Sequence, residues 1–344
     1  MDVVFSFDGT GLDGQTLVVF ETLSWKGIEI ASHEDINDID QKVYIPKIGT
    51  TAEDSQTGSH TGTVSDQAVI TDTVEYSGLT PGKSYEVAGT IRNRDTGEAI
   101  LEDGKEVTAS ATFVPNKPDG SLVLTFTIDA SALAGQTVVA FETVSYEGVP
   151  VAVHADITDE QQSVHYPDIR TEARNQDTGN HVGTESQKAV IEDTVSYSNL
   201  IPGQEYVLRG KLMVQETGKE FLVDGKAVTA ERTFMPETAS GEVTVNFVFD
   251  SRNVAGQTLV VYEELFYNGI AVTKHADLDD EMQSIHYPAI TTEATDRDTK
   301  EHIGFIGPDT EILDTVSYTN LIPGQEYVLR GKSDGAGDRR RVLV

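Results

Sequence analysis

Five polar residue types return along this 344-residue chain at an interval of 121 positions. They are Thr50, Thr171 and Thr292; Asp72, Asp193 and Asp314; Glu21, Glu142 and Glu263; His33, His154 and His275; and Gln41, Gln162 and Gln283. Carboxyls, imidazoles and hydroxyls are the groups with which proteins move protons, so these columns are the candidates for chemistry. Recurrence within a duplicated chain copies everything, and it serves only to eliminate. Rival columns are His60, His181 and His302; Gln15, Gln136 and Gln257; and Thr57, Thr178 and Thr299. They sit in Thr-Gly-x-His and Gly-Gln-Thr contexts, which read as turns.

Spacing adds a physical constraint. Glu142 and His154 are equidistant from Gly148, as are Glu21 and His33 from Gly27, and Glu263 and His275 from Gly269. If each glycine caps a short hairpin loop, each Glu stands across from its His on the neighbouring strand. A carboxyl beside an imidazole in a strand pair is costly to bury unless the two are paired. An ordinary structural Glu–His hydrogen bond satisfies the same pattern, and the residues alone leave both readings open.

The elements that must hold these groups are strands. Ser121–Ile128 and Thr137–Tyr146 are short, β-branched and aromatic. Pro81-Gly82, Pro202-Gly203 and Pro323-Gly324 fit type II turns, and Asp103-Gly104 and Asp224-Gly225 fit tight hairpins. No helical periodicity extends beyond about ten residues. Turn signals every 8–12 residues predict an all-β sandwich. Cutting after Pro46, Pro167 and Pro288 gives the C-terminal part of one repeat (1–46), whole repeats at 47–167 and 168–288, and the N-terminal part of a fourth (289–332). A divergent basic tail, 333–344, leaves the repeat in mid-element. With no secretion signal at Met1-Asp2-Val3-Val4, that tail reads as the mark of a fragment of a longer protein.

Composition closes off several classes of function. A formal charge of −32 repels nucleic acid and anionic membrane surfaces alike. No apolar run is long enough to span a bilayer. The absence of cysteine excludes disulfides, thiol nucleophiles and thiolate metal sites. No phosphate-binding glycine loop or nucleophile elbow appears, so a turnover enzyme is not expected.

Val139-Ala140-Phe141-Glu142, then His154-Ala155-Asp156-Ile157 with Gln162 eight residues past the His, then Thr171-Glu172-Ala173 ahead of Asp177-Thr178-Gly179, resemble VaFE-type repeats. These are the Thr–Gln ester-bond domains of Gram-positive surface-anchored adhesins. The resemblance covers the chain up to its last dozen residues. It implies tandem immunoglobulin-like (CnaB-like) β-sandwich domains, in which a threonine of the first strand attacks the carboxamide of a glutamine on the last strand. Ammonia leaves and an intramolecular ester remains.

Carried over by position, the resemblance links Thr50 to Gln162 with Asp72, Glu142 and His154 assisting. It links Thr171 to Gln283 with Asp193, Glu263 and His275. Thr51, Thr291 and Gln161 offer neighbouring alternatives, but the columns favour Thr50, Thr292 and Gln162. The unfinished ends are left with unpaired remnants: Glu21, His33 and Gln41 on one side, Thr292 and Asp314 on the other.

The implied function is a structural stalk of a bacterial adhesin, extracellular and cell-wall anchored. Each whole repeat crosslinks itself in a single turnover, without a cofactor or metal. The implied form is a monomeric rod with no membrane insertion, whose host protein or glycan would be met through a tip domain outside this sequence. Two other readings compete. One is an uncrosslinked module that itself binds a host protein or glycan. The other is a sandwich with a Lys–Asn isopeptide bond, which is disfavoured because Lys47 aligns with Asp168 and Ala289, while Lys105 and Lys226 sit in hairpin turns. Acidic runs such as Asp156–Glu160 and Asp277–Glu281 offer calcium ligands but lack the spacing of a binding loop, and read as solvated surface.

Overall fold

The computed structural model describes residues 1–304, 306–333 and 342–343; the rest of the divergent tail lies outside the described residues. Repeat one is built from eight principal strands: β1 (Lys47–Asp54), β2 (Ala68–Ser77), β3 (Tyr85–Asn93), β4 (Thr108–Phe113), β5 (Gly120–Ile128), β6 (Thr137–Tyr146), β7 (Val149–His154) and β8 (Ser163–His165). Two sheets form, ordered β5-β2-β1 and β4-β3-β6-β7, with β8 also pairing onto β6. All of these pairings are antiparallel.

Side chains alternate across a strand, so one face of each must be apolar to close a sandwich. Along β1 the inward positions are Ile48, Thr50, Ala52 and Asp54; along β2 they are Ala68, Ile70, Asp72 and Val74. The same stripe on β6 includes Val138, Ala140, Glu142 and Val144. Phe126, Ile91, Val87 and Tyr166 fill the space between the sheets. Burying a side chain of this size contributes about 1.5–3 kcal/mol over leaving it exposed. Thr50, Asp72 and Glu142 therefore occupy inward core positions, Asp72 and Glu142 on otherwise apolar stripes and Thr50 on one it shares with the buried Asp54.

Repeat two reproduces the arrangement around its own core, from Ile169 to Tyr287. Its three-stranded sheet runs Asp168–Asn175, Ala189–Ser198, Gly241–Phe249. Its second sheet is centred on Tyr206–Val214 and Thr258–Tyr267. The predicted all-β tandem sandwich is the observed one, and among the described residues the only helical pieces are three short 3-10 turns.

The predicted turns form as well. Gly82, Asp103-Gly104 and Asp224-Gly225 all have positive φ.

The repeats are joined by a recurring contact. Asn199, at φ 59°, reaches back from repeat two. Its Nδ2 donates to the carbonyls of Gln136 (2.7 Å) and Tyr166 (3.0 Å), and its Oδ1 accepts from Thr137 Oγ1 (3.0 Å). Asn320 makes the same bonds to Gln257, Tyr287 and Thr258. At the corresponding position of repeat one stands Gly78.

The end segments form only parts of a sandwich. Residues 1–46 give a hairpin of Glu21–Trp25 with Ile28–His33, plus Thr16–Val18 paired with Lys42–Tyr44. At the other end Ala289–Asp296 pairs with Ile312–Thr319.

Candidate functional site

Glu142 and His154 are direct cross-strand partners on β6 and β7, as are Glu263 with His275 and Glu21 with His33. The symmetry about Gly148 has a two-part origin. The loop itself is Glu147-Gly148, both at positive φ, which would centre the hairpin half a residue earlier. A bulge beyond Val144 then inserts one extra residue into β7, and the register from Val144–Ala152 outward becomes symmetric about Gly148.

In repeat one, four side chains from both sheets converge. Thr50 lies on edge strand β1, Asp72 on its neighbour β2, and Glu142 on β6 of the facing sheet. Gln162 comes not from a strand but from the last residue of a 3-10 turn, Glu160–Gln162, directly ahead of β8. The four are between 0 and 6% exposed. Gln162 Nε2 donates to Thr50 Oγ1 at 2.6 Å and to Glu142 Oε2 at 2.7 Å, and Thr50 Oγ1 donates to the same Glu142 oxygen at 3.1 Å. One carboxyl oxygen thus touches both the hydroxyl and the amide nitrogen. A C–N bond is about 1.33 Å long, so the carboxamide carbon lies within about 3.9 Å of the hydroxyl oxygen. In repeat two Gln283 Nε2 donates to Thr171 Oγ1, again at 2.6 Å.

Asp72 and Glu142 lie close enough across the site that each shifts the other's affinity for a proton, as do Asp193 and Glu263. Two ionised carboxylates offer only acceptors, so each pair must hold a proton between its members. Burial, reinforced by the charge of Asp72, lifts Glu142 to about 9. Burial and Asp193 lift Glu263 to about 10. Burial raises Asp72 and Asp193 as well, opposed by the partner Glu and by the nearby His.

The histidines point elsewhere. His154 Nε2 bonds Asp159 Oδ2 at 3.1 Å and His275 Nε2 bonds Asp280 Oδ2 at 2.9 Å; neither is hydrogen-bonded to its threonine. His154 Nδ1 is buried without a partner.

Asp159 and Asp280 were hidden by the acidic runs around them. Each caps the turn that presents the glutamine: Asp159 Oδ1 accepts from Gln161 N at 2.9 Å while Oδ2 holds the His. One aspartate therefore fixes both the imidazole and the carboxamide-bearing turn. The signal was available, since Asp38, Asp159 and Asp280 recur at the common period. Gly89 and Gly210 were also missed. They stand opposite Glu142 and Glu263 on the neighbouring strand. A Cβ at Gly210 would overlap Glu263 Oε1 and the Phe247 ring, and one at Gly89 would meet the Phe126 ring at 2.6 Å. Glycine in mid-strand marks such a close approach.

In the end segments the remnants keep their local geometry, with Glu21, His33, Thr292 and Asp314 exposed and Gln41 half-buried. Gln41 Nε2 donates to Glu21 Oε2 at 3.2 Å and His33 Nε2 meets Asp38 Oδ2 at 3.0 Å. Thr292 pairs with Val316, and Asp314 with Ala294, as Thr50 pairs with Val74 and Asp72 with Ala52. Among the described residues no group of three or more His, Asp or Glu is arranged to hold a metal, and no helix is long and apolar enough to cross a membrane.

Two tandem β-sandwiches each bring a threonine, a glutamine and a pair of acids together in the core. The chain belongs to the T-Q ester bond containing domain family, which matches residues 1–45, 46–166, 167–287 and 288–333. No curated protein matches significantly. Among solved structures, a bacterial adhesin from Mobiluncus mulieris containing intramolecular disulfide, isopeptide and ester bond cross-links is 15% identical, with 80% of this chain and 97% of that chain covered and a TM-score of 0.30. The C-terminal domain of the Streptococcus agalactiae AgI/II polypeptide BspA is 10% identical, with 67% and 97% covered and a TM-score of 0.35. The C-terminal domain of the Streptococcus pyogenes antigen I/II-family protein AspA is 11% identical, with 67% and 98% covered and a TM-score of 0.30. Overlaps this loose do not bear on mechanism.

Proposed function

We propose that each whole repeat staples itself with an ester between Thr50 and Gln162, or between Thr171 and Gln283, and that the chain serves in the stalk of a bacterial surface adhesin. The reading rests on one observation: in both repeats a buried hydroxyl lies 2.6 Å from a buried carboxamide, beside a carboxyl pair that holds a proton.

The reaction balances within the site. Thr50 Oγ1 attacks the Gln162 carboxamide carbon, its proton passes to the amide nitrogen, the C–N bond breaks and ammonia leaves. Glu142 Oε2 contacts both the donor and the recipient of that proton, so a single oxygen can relay it. The proton held between Asp72 and Glu142 stabilises charge developing on the carbonyl oxygen once that oxygen turns toward the pair. His154, anchored by Asp159, places an imidazole next to the pair and favours its ionised form. Each site reacts once and is consumed, so the chain is no turnover enzyme.

The link bypasses 112 residues. Gln162 and Thr171 are nine residues apart, so tension crosses one ester, a short connection and the next ester. Such a staple needs no thiol, in keeping with a cysteine-free chain on an extracellular, wall-anchored protein. The charge of −32 favours a soluble, extended stalk. Intact-mass measurement tests the reading: each ester removes one ammonia, about 17 Da, so the purified chain should be two ammonias lighter than its sequence. An unreduced mass refutes it.

A further inference from the structure

His60 and His181 lie where their Thr-Gly-x-His contexts predict turns, in the loop that leaves the strand carrying Thr50 or Thr171. In repeat one that strand ends at Asp54, fully buried and four residues past Thr50 on the same face. Asp54 Oδ1 accepts from Gln56 N at 2.9 Å and Thr57 N at 3.0 Å, and Oδ2 accepts from Thr63 N at 2.9 Å. Thr57 Oγ1 donates to Thr61 O at 2.6 Å and closes the turn around His60. In repeat two Asn175 Oδ1 accepts from Asp177 N and Thr178 N, and Thr178 Oγ1 donates to Val182 O at 2.7 Å. Each loop is thus tied down as a continuation of the threonine strand.

From this loop His60 Nδ1 donates to the carbonyl of Ser163 at 3.0 Å, a group that can only accept. Ser163 directly follows Gln162. Two main-chain bonds run alongside: His165 N donates to His60 O and Gly62 N to His165 O, each at 2.7 Å. Those two hold His165, three residues past the glutamine, whereas the imidazole reaches the adjacent residue. Repeat two repeats the pattern, with His181 Nδ1 donating to Ser284 O at 3.0 Å beside the bonds between His181, Gly183 and His286. The loop therefore couples the threonine strand, in one sheet, to the glutamine segment, whose β8 pairs onto the other.

We propose that His60 and His181 are positioning residues for the crosslink: each imidazole pins the backbone beside the glutamine and so sets where the carboxamide stands relative to the threonine. The proposal rests on the ester reading of the whole repeats. Asp159 caps the turn ahead of Gln162, and His60 fixes the main chain behind it, so the glutamine is held from both sides. The ring bonds main chain rather than the reacting groups and acts only through Gln162. Attack geometry is sensitive to such a hold, since a displacement of about 1 Å costs about 10²-fold in rate.

The test makes the full chain by cell-free synthesis, stops synthesis, and quenches samples in denaturant at successive times. Mass spectrometry reads the ammonia lost, and proteolytic fragments assign each loss to its repeat. His60→Leu removes the donor and should slow the loss in repeat one about 10²-fold while repeat two keeps its rate. His181→Leu should give the mirror image. His60→Asn, which offers an amide donor in place of Nδ1, should restore the rate of repeat one. Calorimetry of each variant shows whether the slowed repeat is folded at the reaction temperature, because a contact that only stabilises the fold lowers the transition and leaves the rate of a folded repeat unchanged. A slowed repeat without its own transition is slow because it is unfolded, which overturns the positioning role. Unchanged rates in both leucine variants overturn it as well and leave the ester reading standing. An asparagine variant as slow as the leucine one overturns the hydrogen bond as the device. An unsubstituted chain that loses no ammonia overturns the ester reading and this proposal with it.

Discussion

Replacing Thr50 by Val removes the attacking oxygen and keeps the side chain's branched shape on a β-strand. The magnitude follows from the length bypassed. Closing a loop of 112 residues lowers the entropy of the unfolded chain by an amount worth about 4.8 kcal/mol near room temperature. A repeat spanning 46–166 has an unfolding entropy of about 0.25 kcal/mol/K. The quotient is a fall of about 19 °C in the transition of repeat one. Repeat two has its own core and its own link, so its transition should stay where it is. Differential scanning calorimetry reads both, and mass spectrometry run beside it should show one ammonia lost instead of two. Force spectroscopy adds a geometric check, because the freed segment lengthens the chain by about 39 nm at roughly 3.5 Å per residue. If one ammonia is lost as expected but the transition moves by less than about 5 °C, the loop-entropy reasoning is wrong. If two are still lost, Thr50 is not the nucleophile.

Gly210→Ala drives a methyl group into Glu263 and Phe247, so it should eliminate the second ammonia loss and destabilise repeat two by about 1–3 kcal/mol beyond the lost link. Gly331→Ala, at the same position in the unfinished repeat with nothing within 4 Å, should change neither mass nor stability. In the Thr50→Val background, stability should fall as pH rises. The folded state keeps a proton on Glu142 up to about 9, whereas the unfolded chain releases it near the ordinary glutamate value of 4.5. The stabilisation is complete below the lower value and is lost toward the higher one, at about 1.4 kcal/mol per pH unit at most. Urea midpoints at several pH values measure the slope. Glu142→Gln should flatten it, and a slope that persists in that variant would assign the effect to the chain's overall negative charge instead.

Much of this was legible in the residues because the repeat supplied three readings of each position. Thr137–Tyr146 was read as a strand to the residue, and the Glu–His pairing followed from spacing alone. That success owed something to compensation, since a two-residue loop plus one bulged residue produces the same symmetry as a loop centred on the glycine. What stayed hidden lacks a periodic signature. Asp159 works from a 3-10 turn, where neither the period of 2 nor that of 3.6 applies, and it sits among other acids that face solvent. Gly89 acts through the side chain it does not have. Asn199 leaves no recurring side chain to follow, because repeat one carries Gly78 in its place.

On the proposed ester reading, the acid pair gives such a core a reason to be crosslinked. Asp72 replaces an apolar residue between Ile70 and Val74, and Glu142 does so between Ala140 and Val144. Apolar residues of similar volume at such positions are often as stabilising as a buried polar pair or more so. Before reaction the site therefore holds two carboxyls, a carboxamide and a hydroxyl where hydrocarbon would pack better, with several oxygens lacking a donor. Once the ester forms, the chain-entropy gain of about 5 kcal/mol offsets that cost. On that reading, the groups that weaken the unreacted sandwich are those proposed to relay the proton that links it. On the ester reading, a repeat disabled at its threonine is left less stable than a sandwich with hydrocarbon at those positions.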